Sequence, residues 1–424
     1  MALPTQRRTA VRAQKRLRNR NMERDISLRP LEDIKVLDLT RFLSGPQTTL
    51  FLAALGAEVV KIDDPKTGDP VAAAPPFVGK NGVSMTRSSA ADVGLAFLKR
   101  ARGKKSIELD LKTEVDKNLF LRLAVSADVI VENFRYGVTK RLGIDYEQVK
   151  KINKKIIYCS ITGYGNTGPE KSKKAFDATV QAASGLMSVT GQPEGTPTKI
   201  GSSMADTIAG TFALSGILAS LIQRNRTGIG DFIDVSMNDC LISLLYDEAW
   251  DCFDELGLKK RQGNRIMRFS PFNFYSAADG GVVFGAATEK DWLAITEMIG
   301  RKDLRTSPIF SDLGNRINNA NQIDHIVGEW VAKQKVSQIV QLCEEFEIPC
   351  SPVNDIANIA KSLQMQERGI LQKVQHPDFH LKNGPLAGNF PVKFSSAKTS
   401  LDQPAPKRNE HFEEILQSWL NINP

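Results

Sequence analysis

The chain has 424 residues, of which 41% are hydrophobic and 25% are charged, a composition typical of a soluble globular protein with a sizeable core, in two domains or one elaborated domain. The formal net charge of +8 arises at the start of the chain, because residues 1–22 carry seven Lys or Arg and no acid, which leaves +1 for residues 23–424. This distribution excludes a general nucleic-acid-binding surface on the folded body. Residues 1–27 are predicted to be a basic extension outside the fold, with an Arg-rich transit peptide as the alternative.

The segment after this extension predicts a β-α-β unit. An apolar strand is expected at 34–39, a helical pattern ends at Ala54, and a second strand is expected at 57–62. Further strands at 106–111, 128–134 and 156–162 alternate with helical segments. Because such alternation is typical of parallel pairing, the sequence predicts an open, doubly wound α/β sheet in a large domain at 28–225.

The middle of the chain changes texture. Helical patterns are expected at 177–189, 204–223 and 238–255, and a strand is expected at 231–236, so that 226–262 is interpreted as a linker strand and helix. A smaller α+β domain is predicted at 263–345, with a strand near 282–287. Residues 346–424 are predicted to return through a linker at 348–352 to the large domain and to end in an amphipathic helix at 411–420.

Asp206 begins the longest uncharged run of the chain, since the next charged residue is Arg224. This run predicts a buried core helix, and its content of Ser, Thr and Gly argues against a membrane span. A carboxylate near a helix N-terminus is favoured by the helix dipole and stays ionised, and an ionised carboxylate beside apolar packing can act as a nucleophile. A plain helix-capping role for Asp206 is the alternative that this stretch alone leaves open.

Several common kinds of site are absent from the sequence. The four His all lie from His325 onward and the five Cys are dispersed, so no metal site is predicted. Dispersed Cys indicate reduced thiols, typical of the cytoplasm or an organelle matrix. The turn at 40–46 lacks the G-x-G-x-x-G dinucleotide motif, and the chain has neither a P-loop nor a G-x-S-x-G nucleophile elbow.

An ordered set of motifs resembles the class III CoA-transferases, the CaiB/BaiF-like family that includes formyl-CoA transferase and carnitine CoA-transferase. The matching blocks lie at 31–46 (ending in Thr-Arg-Phe-Leu-Ser-Gly-Pro46), 55–62, 104–112, 127–134, 163–169, 181–185, 205–206 and 227–237. The resemblance implies a Rossmann-like large domain, a small α+β domain and an interlocked, ring-like homodimer. The implied partners are an acyl-CoA and a free carboxylic acid, with coenzyme A as co-substrate, no permanently bound cofactor, no metal, no nucleic acid and no membrane.

The resemblance also implies roles for individual residues. The family's nucleophilic aspartate falls on Asp206, which would form an aspartyl anhydride and then an aspartyl-CoA thioester. Phe176, Asp177 and Gln181 would shape the acyl pocket around it. The positions that match the family's CoA contacts are Arg41, Phe42, Leu43, Leu109, Lys112, Asn133, Phe134, Arg141, Lys174 and Met237. Core packing for the apolar members and a solvated basic face for the lysines are the alternative interpretations.

The chain departs from formyl-CoA transferase at three places. Asp64 stands where that enzyme has an Arg, which puts one phosphate contact in doubt, and Phe176 stands where it has a Tyr. No run of consecutive glycines occurs at 263–275, which argues against oxalate and formyl-CoA as substrates. Arg265 and Arg268 lie where a loop could meet a second carboxylate, although surface charges are the favoured interpretation.

Other functions remain open. An α-methylacyl-CoA racemase of the same superfamily would use Asp177 together with a His, and no His precedes His325. Transfer of CoA within one dicarboxylate would use the same chemistry as transfer between two acids. A CoA-binding scaffold without activity would lack the nucleophile, but Asp206 is present in this chain. A short dicarboxylate such as succinate is the expected donor acid, and the expected location is the cytoplasm, or an organelle matrix if the N-terminus is a transit peptide.

Overall fold

The structure is a computed structural model that describes residues 29–378 and 380–422, so the predicted basic extension at 1–27 lies outside the described residues. The strands are β1 (Lys35–Asp38), β2 (Glu58–Asp63), β3 (Phe77–Gly79), β4 (Gly82–Ser84), β5 (Val93–Gly94), β6 (Lys105–Glu108), β7 (Val129–Glu132), β8 (Ile157–Thr162), β9 (Phe232–Ser236), β10 (Phe272–Ala277), β11 (Gly280–Gly285), β12 (Cys350–Pro352), β13 (Leu371–Lys373) and β14 (Leu386–Gly388).

The α-helices alternate with the strands only in part, since the helices Asp177–Ala183, Leu186–Val189 and Met204–Thr227 follow one another with no strand between them. They are α1 (Ser44–Ala54), α2 (Leu95–Arg100), α3 (Glu114–Ser126), α4 (Val138–Leu142), α5 (Tyr146–Ile152), α6 (Asp177–Ala183), α7 (Leu186–Val189), α8 (Met204–Thr227), α9 (Met237–Leu245), α10 (Glu289–Met298), α11 (Leu313–Asn318), α12 (Ala320–Val331), α13 (Val336–Glu345), α14 (Ile356–Lys361), α15 (Leu363–Arg368) and α16 (Phe412–Leu420). Short 3₁₀ turns lie at Pro70–Ala73, Trp250–Cys252, Lys302–Arg305 and Pro308–Phe310.

The described chain forms two compact units. The first comprises the chain through Ser184, then Ser202–Leu244, and then the chain from Glu367 onward; the second comprises Gly185–Gly201 and Leu245–Gln366. The predicted small domain at 263–345 lies inside the second unit, whereas 185–201 leaves the predicted large domain to join it. Its attachment is a long-range pairing, in which Gly263 donates its backbone N–H to the carbonyl of Gly191 at 3.0 Å. No local pattern in the sequence predicts such a pairing between distant residues.

The first unit is built on a parallel sheet with the strand order β6-β2-β1-β7-β8-β9, which confirms the predicted α/β fold. Leu37 of β1 is in register with Val60 on one side and Ile130 on the other, and all three are buried. Apolar runs buried on both faces are what parallel strands require. The strand that was predicted as part of a linker, β9, is instead the last strand of this sheet and pairs with β8.

The helix α8 packs on α1 within the first unit. A Cβ on Gly210 would lie 2.7 Å from the carbonyl oxygen of Ser44, so only glycine permits this approach. The Thr48 hydroxyl donates to the carbonyl of Gly210 at 3.0 Å across the same contact. Within the described residues, α8 is the one helix with the length and hydropathy of a membrane span, and its Ala213 and Ile217 side chains are buried.

The second unit contains an antiparallel sheet of β10, β11 and β12, with α10, α12 and α13 supplying apolar side chains to its core. The predicted linker at 348–352 is wrong in its second half, because Cys350–Pro352 pair with Val282–Phe284. The helix predicted at 177–189 is divided at Gly185, whose φ of 92° lies in the left-handed region. The helix predicted to reach residue 255 ends at Leu245.

Candidate active site

The turn after β1 rests on buried ion pairs. Lys61, on β2, donates to the carbonyl of Thr40 at 2.8 Å and lies 3.1 Å from an Asp63 oxygen and 3.5 Å from an Asp69 oxygen. Lys104 lies 2.9 Å from Asp38, and both side chains are buried. Burial would raise the pKa of Asp38, but Lys104 and Lys61 outweigh it and lower that pKa. Buried charges of this kind persist only when they are paired, so the network fixes the turn in one geometry.

Phe42, in this turn, has a left-handed backbone with φ of 67°, which costs a non-glycine residue about 1–3 kcal/mol. Its N–H donates to Asp69 at 3.3 Å, and its carbonyl accepts from Arg100 Nη1 at 2.7 Å. Its ring, 43% exposed, meets Phe176 edge to face at 5.9 Å between centroids. Arg100 was not among the predicted site residues, because nothing in its local pattern indicates that it reaches a turn 58 residues earlier.

Asn133, at the end of β7, holds the same turn from the other side. Its Oδ1 accepts from the Arg41 N–H at 2.9 Å, and its Nδ2 donates to the Arg41 carbonyl at 2.7 Å. The same Nδ2 lies 3.3 Å from the Ser44 hydroxyl. These contacts occur because the carboxyl ends of neighbouring parallel strands meet at one edge of the sheet, where open α/β folds bind ligands.

Asp177 and Gln181, both on α6, support the N-terminus of α8. Asp177 Oδ1 accepts from the backbone N–H groups of Ala205 at 2.8 Å and Asp206 at 3.2 Å. Gln181 is fully buried, and its Nε2 donates to Asp177 Oδ2 at 2.6 Å and to the Ser202 carbonyl at 3.2 Å. Asp177 therefore caps α8 and sits beside Asp206.

Asp206 lies in the first turn of α8 with a pKa of about 6. Burial raises the pKa most, and the neighbouring Asp177 charge raises it further; hydrogen bonds from the Ser44 hydroxyl and backbone N–H and the charge of Arg100 lower it. Burial and the Asp177 charge thus outweigh the groups that favour the ionised form. At neutral pH the carboxylate form still dominates by roughly tenfold.

A cavity of about 390 Å³ opens beside Asp206 in the first unit. Its lining includes the predicted residues Phe42, Asn133, Phe134, Lys174, Phe176, Asp206 and Met237. It also includes several residues that were not predicted, among them Ser44, Arg135, Tyr136, Lys171 and Lys173. Lys171 lies 4.8 Å from the centre of the Tyr136 ring. The cationic lining suits a phosphorylated ligand, and the charge run at 170–174 was the available signal for it. Within 29–378 and 380–422, no three His, Cys, Asp or Glu side chains are placed to hold a metal ion.

The other predicted CoA contacts lie outside this lining. Arg41 packs over the Phe134 ring at 5.7 Å, and Leu43 is the half-buried residue before α1. Leu109 is only 2% exposed within the core, so its side chain does not form part of the cavity wall. Arg141 is exposed on α4.

Asp64, the residue that replaces an arginine of formyl-CoA transferase, forms a salt bridge with Lys112. Its Oδ2 lies 3.5 Å from Lys112 Nζ, a predicted CoA contact whose side chain is 69% exposed. Burial would raise the pKa of Asp64, but backbone N–H donors at Lys66 and Thr67 and the charges of Lys112 and Arg41 lower it. Asp64 therefore stays ionised, and its charge offsets that of Lys112. This pairing argues further against a contact with a CoA phosphate at position 64.

The arginines considered for a second carboxylate are already paired within the second unit. Arg265 Nε donates to Asp324 at 2.9 Å, and Asp324 also accepts from Asn273 and Tyr275. Arg268 lies 3.2 Å from Glu248. Both arginines thus act in salt bridges within this unit, which agrees with the interpretation that the sequence favoured.

Comparison with known proteins adds to this geometry. The family model for CoA-transferase family III matches residues 31–412. The chain is 34% identical over 390 residues to succinyl-CoA:mesaconate CoA-transferase of Haloarcula hispanica, covering 91% of this chain and 95% of that one. It is 36% identical over 384 residues to acetyl-CoA:oxalate CoA-transferase of Acetobacter aceti, with coverages of 90% and 93%. A solved CAIB/BAIF family protein from Brucella suis superposes with a TM-score of 0.79 at 31% identity, covering 92% of this chain and 99% of that one.

Proposed function

Because the chain belongs to CoA-transferase family III, and is thus a transferase that uses CoA thioesters, we propose that it moves CoA from succinyl-CoA to a carboxylic acid through Asp206. The observation that carries this proposal is the Asp206 carboxylate itself. It is held at the N-terminus of α8, it faces hydrogen-bond donors at the N-terminus of α1, and it lines a cavity with a cationic wall. A carboxylate with a pKa of about 6 is ionised at neutral pH and less stabilised than a solvated one, which suits a nucleophile.

The first half of the reaction moves CoA onto the protein. An Asp206 oxygen forms a bond with the thioester carbonyl carbon, and the C–S bond breaks with its electron pair leaving as CoA thiolate. The thiolate then bonds to the aspartyl carbonyl carbon of this anhydride, and the donor acid leaves as its carboxylate. The product is an aspartyl-CoA thioester, and no proton is consumed.

The second half reverses these steps with a new acid. The acceptor carboxylate bonds to the aspartyl carbonyl carbon and expels the thiolate, which then attacks the acceptor's carbonyl carbon in the new anhydride. Asp206 leaves as a carboxylate. Every step exchanges one activated acyl group for another, so the nucleophile divides one difficult transfer into four easier ones. Asp177 and Gln181 hold the nucleophile's helix, and Lys171, Lys173 and Lys174 attract the CoA phosphates.

The acids exchanged are proposed from the relatives. One relative is named for succinyl-CoA and mesaconate, which supports succinyl-CoA as donor and a dicarboxylate as acceptor. Another is named for acetyl-CoA and oxalate, so oxalate belongs in the acceptor panel although the glycine run is missing. A single dicarboxylate that both donates and accepts CoA is tested by the same panel.

The experiment is the intact mass of the purified chain after brief incubation with succinyl-CoA and an acid quench. We expect a covalent CoA adduct on the wild type and none on Asp206→Asn, which removes the nucleophile while keeping its shape. Asp239→Asn is the matched control, since Asp239 is also a first-turn aspartate but begins α9 outside the cavity lining. Its adduct should equal that of the wild type. If several acyl-CoAs give no adduct but the α-proton exchanges in heavy water, the racemase alternative replaces this proposal.

We also propose the homodimer that the resemblance implied, and a location in the cytoplasm. Support for self-association comes from large apolar side chains exposed on the first unit, where Phe212 is 42% and Ile222 is 57% exposed along α8. Light scattering on the purified chain tests it, and a monomer at micromolar concentration would refute it.

A further inference from the structure

Ser44 occupies a special place at the first residue of α1. Its side chain is buried, with the residue 3% exposed, yet it lines the cavity that contains Asp206. Asp206 lines the same cavity, and the hydroxyl and backbone N–H of Ser44 are among the groups that lower the pKa of its carboxylate. The first residues of a helix have N–H groups without partners in the helix, so an anion at this position satisfies them.

The direction of the Ser44 hydroxyl proton follows from Asn133. The Asn133 amide oxygen is engaged by the Arg41 N–H at 2.9 Å, and its NH₂ group faces the Arg41 carbonyl, so the amide orientation is fixed. Its Nδ2, 3.3 Å from Ser44 Oγ, can therefore only donate to that oxygen. The hydroxyl proton of Ser44 is therefore not used toward Asn133 and is available for Asp206, which lines the same cavity.

The packing of α1 on α8 fixes the distance between the two residues. Gly210 approaches the carbonyl of Ser44 closely, Thr48 donates to the carbonyl of Gly210, and Gln47 Nε2 donates to the carbonyl of Thr207 at 3.2 Å. These contacts lie within one turn of Asp206 on α8. A side chain held by packing and by a supporting hydrogen bond is oriented before the substrate arrives.

We propose that Ser44 is a positioning residue for Asp206, with its hydroxyl, oriented by Asn133, holding the carboxylate in place for attack. The inference rests on the proposed function, because it presumes that Asp206 is the nucleophile. The same donor would serve the aspartyl carbonyl oxygen when the thiolate or the acceptor acid attacks, since that oxygen gains negative charge in each transition state.

The test is the pH dependence of CoA-adduct formation in a single turnover, compared between the wild type and Ser44→Ala. The charged groups that face Asp206 are Asp177 from α6 and Arg100 from α2, and both are unchanged in this variant. A hydrogen bond to the ionised form lowers a pKa, so its loss moves the acid limb upward. We expect a shift of about one pH unit, equivalent to a rate about fivefold lower at pH 6 and little changed at pH 8.

Thr48→Val is the matched control. Thr48 loses a buried hydroxyl in the same contact between α1 and α8 but does not line the cavity, so its acid limb should coincide with that of the wild type. Ser44→Cys keeps a weaker donor and should fall between the wild type and Ser44→Ala, and it serves as the second variant if Ser44→Ala does not fold. A coincident acid limb for both Ser44 variants overturns the inference while the wild-type adduct upholds the proposed function. No adduct on the wild type overturns both.

Discussion

Asp177 Oδ1 accepts a hydrogen bond from the backbone N–H of Asp206 at 3.2 Å, so the residue that caps α8 also places a second carboxylate beside the proposed nucleophile. Asp177 therefore acts on Asp206 in two ways. The cap stabilises the helix end that carries Asp206, whereas the Asp177 charge helps raise the pKa of Asp206 to about 6. One side chain, Asp177, therefore both supports the end of α8 and raises the pKa of Asp206. The following variants separate the two effects.

Asp177→Asn should retain a cap oxygen and remove the charge. We expect the pKa of Asp206 to fall, so the acid limb of adduct formation moves downward in pH, in the direction opposite to Ser44→Ala. Asp177→Ala should remove the cap as well and lower the free energy of unfolding by about 0.5–2 kcal/mol. The pH–rate profile together with urea unfolding tests this. An unmoved acid limb in Asp177→Asn would show that the two carboxylates do not interact.

The wild type itself should lose CoA transfer as pH falls through about 6, because the protonated Asp206 carboxyl is not a nucleophile. The free energy of unfolding changes with pH in the opposite direction to the activity. A folded-state pKa raised above the ordinary value of 3.8 means that the unfolded chain releases this proton first, so stability falls as pH rises from 3.8 to about 6. Asp206→Asn should therefore increase the free energy of unfolding by about 1–3 kcal/mol at pH 8 and change it little at pH 4. Equal effects at both pH values would contradict this assignment.

Arg100→Met should weaken the site in two ways. The Phe42 carbonyl loses its 2.7 Å donor, so the strained turn is less well held, and Asp206 loses a nearby positive charge. We expect a higher KM for the acyl-CoA and an acid limb shifted to higher pH. Lys99→Met, which removes the neighbouring charge on α2, is the control and should leave the acid limb in place. Steady-state kinetics over pH 5–8 distinguishes the two variants.

Gly210→Ala should force α8 away from α1, since the added methyl group would lie 2.7 Å from the Ser44 carbonyl oxygen. We expect a loss of about 1–3 kcal/mol in the free energy of unfolding, as for other overpacked sites, and a slower adduct formation because Asp206 moves with α8. Gly328→Ala, within α12, meets nothing within 4 Å and should be neutral or slightly stabilising. Circular dichroism melts and single-turnover rates give both quantities.

The parallel α/β sheet was predictable from the sequence, since apolar runs such as 157–162 are buried by the helices on both faces whatever the details of packing. The sequence also placed Asp206 at a helix start and Asn133 at a strand end, because these positions depend on local periodicity. The small sheets of β3-β4-β5 and β13-β14, with strands of two or three residues, were too short to give a periodic signal.

The surroundings of Asp206 depend on the folded arrangement of the helices and could not be predicted from local sequence. Ser44, Arg100 and Asp177 lie far from Asp206 along the chain, and each reaches it, or the turn beside it, through side-chain hydrogen bonds and charges that depend on how α1, α2 and α6 are placed. The pKa of about 6 results from burial and from the opposed effects of these groups, and none of these contributions can be read from the local sequence. In the same way, Leu109 and Arg265 carry residue types suited to a ligand, yet packing buries the first and pairs the second with Asp324.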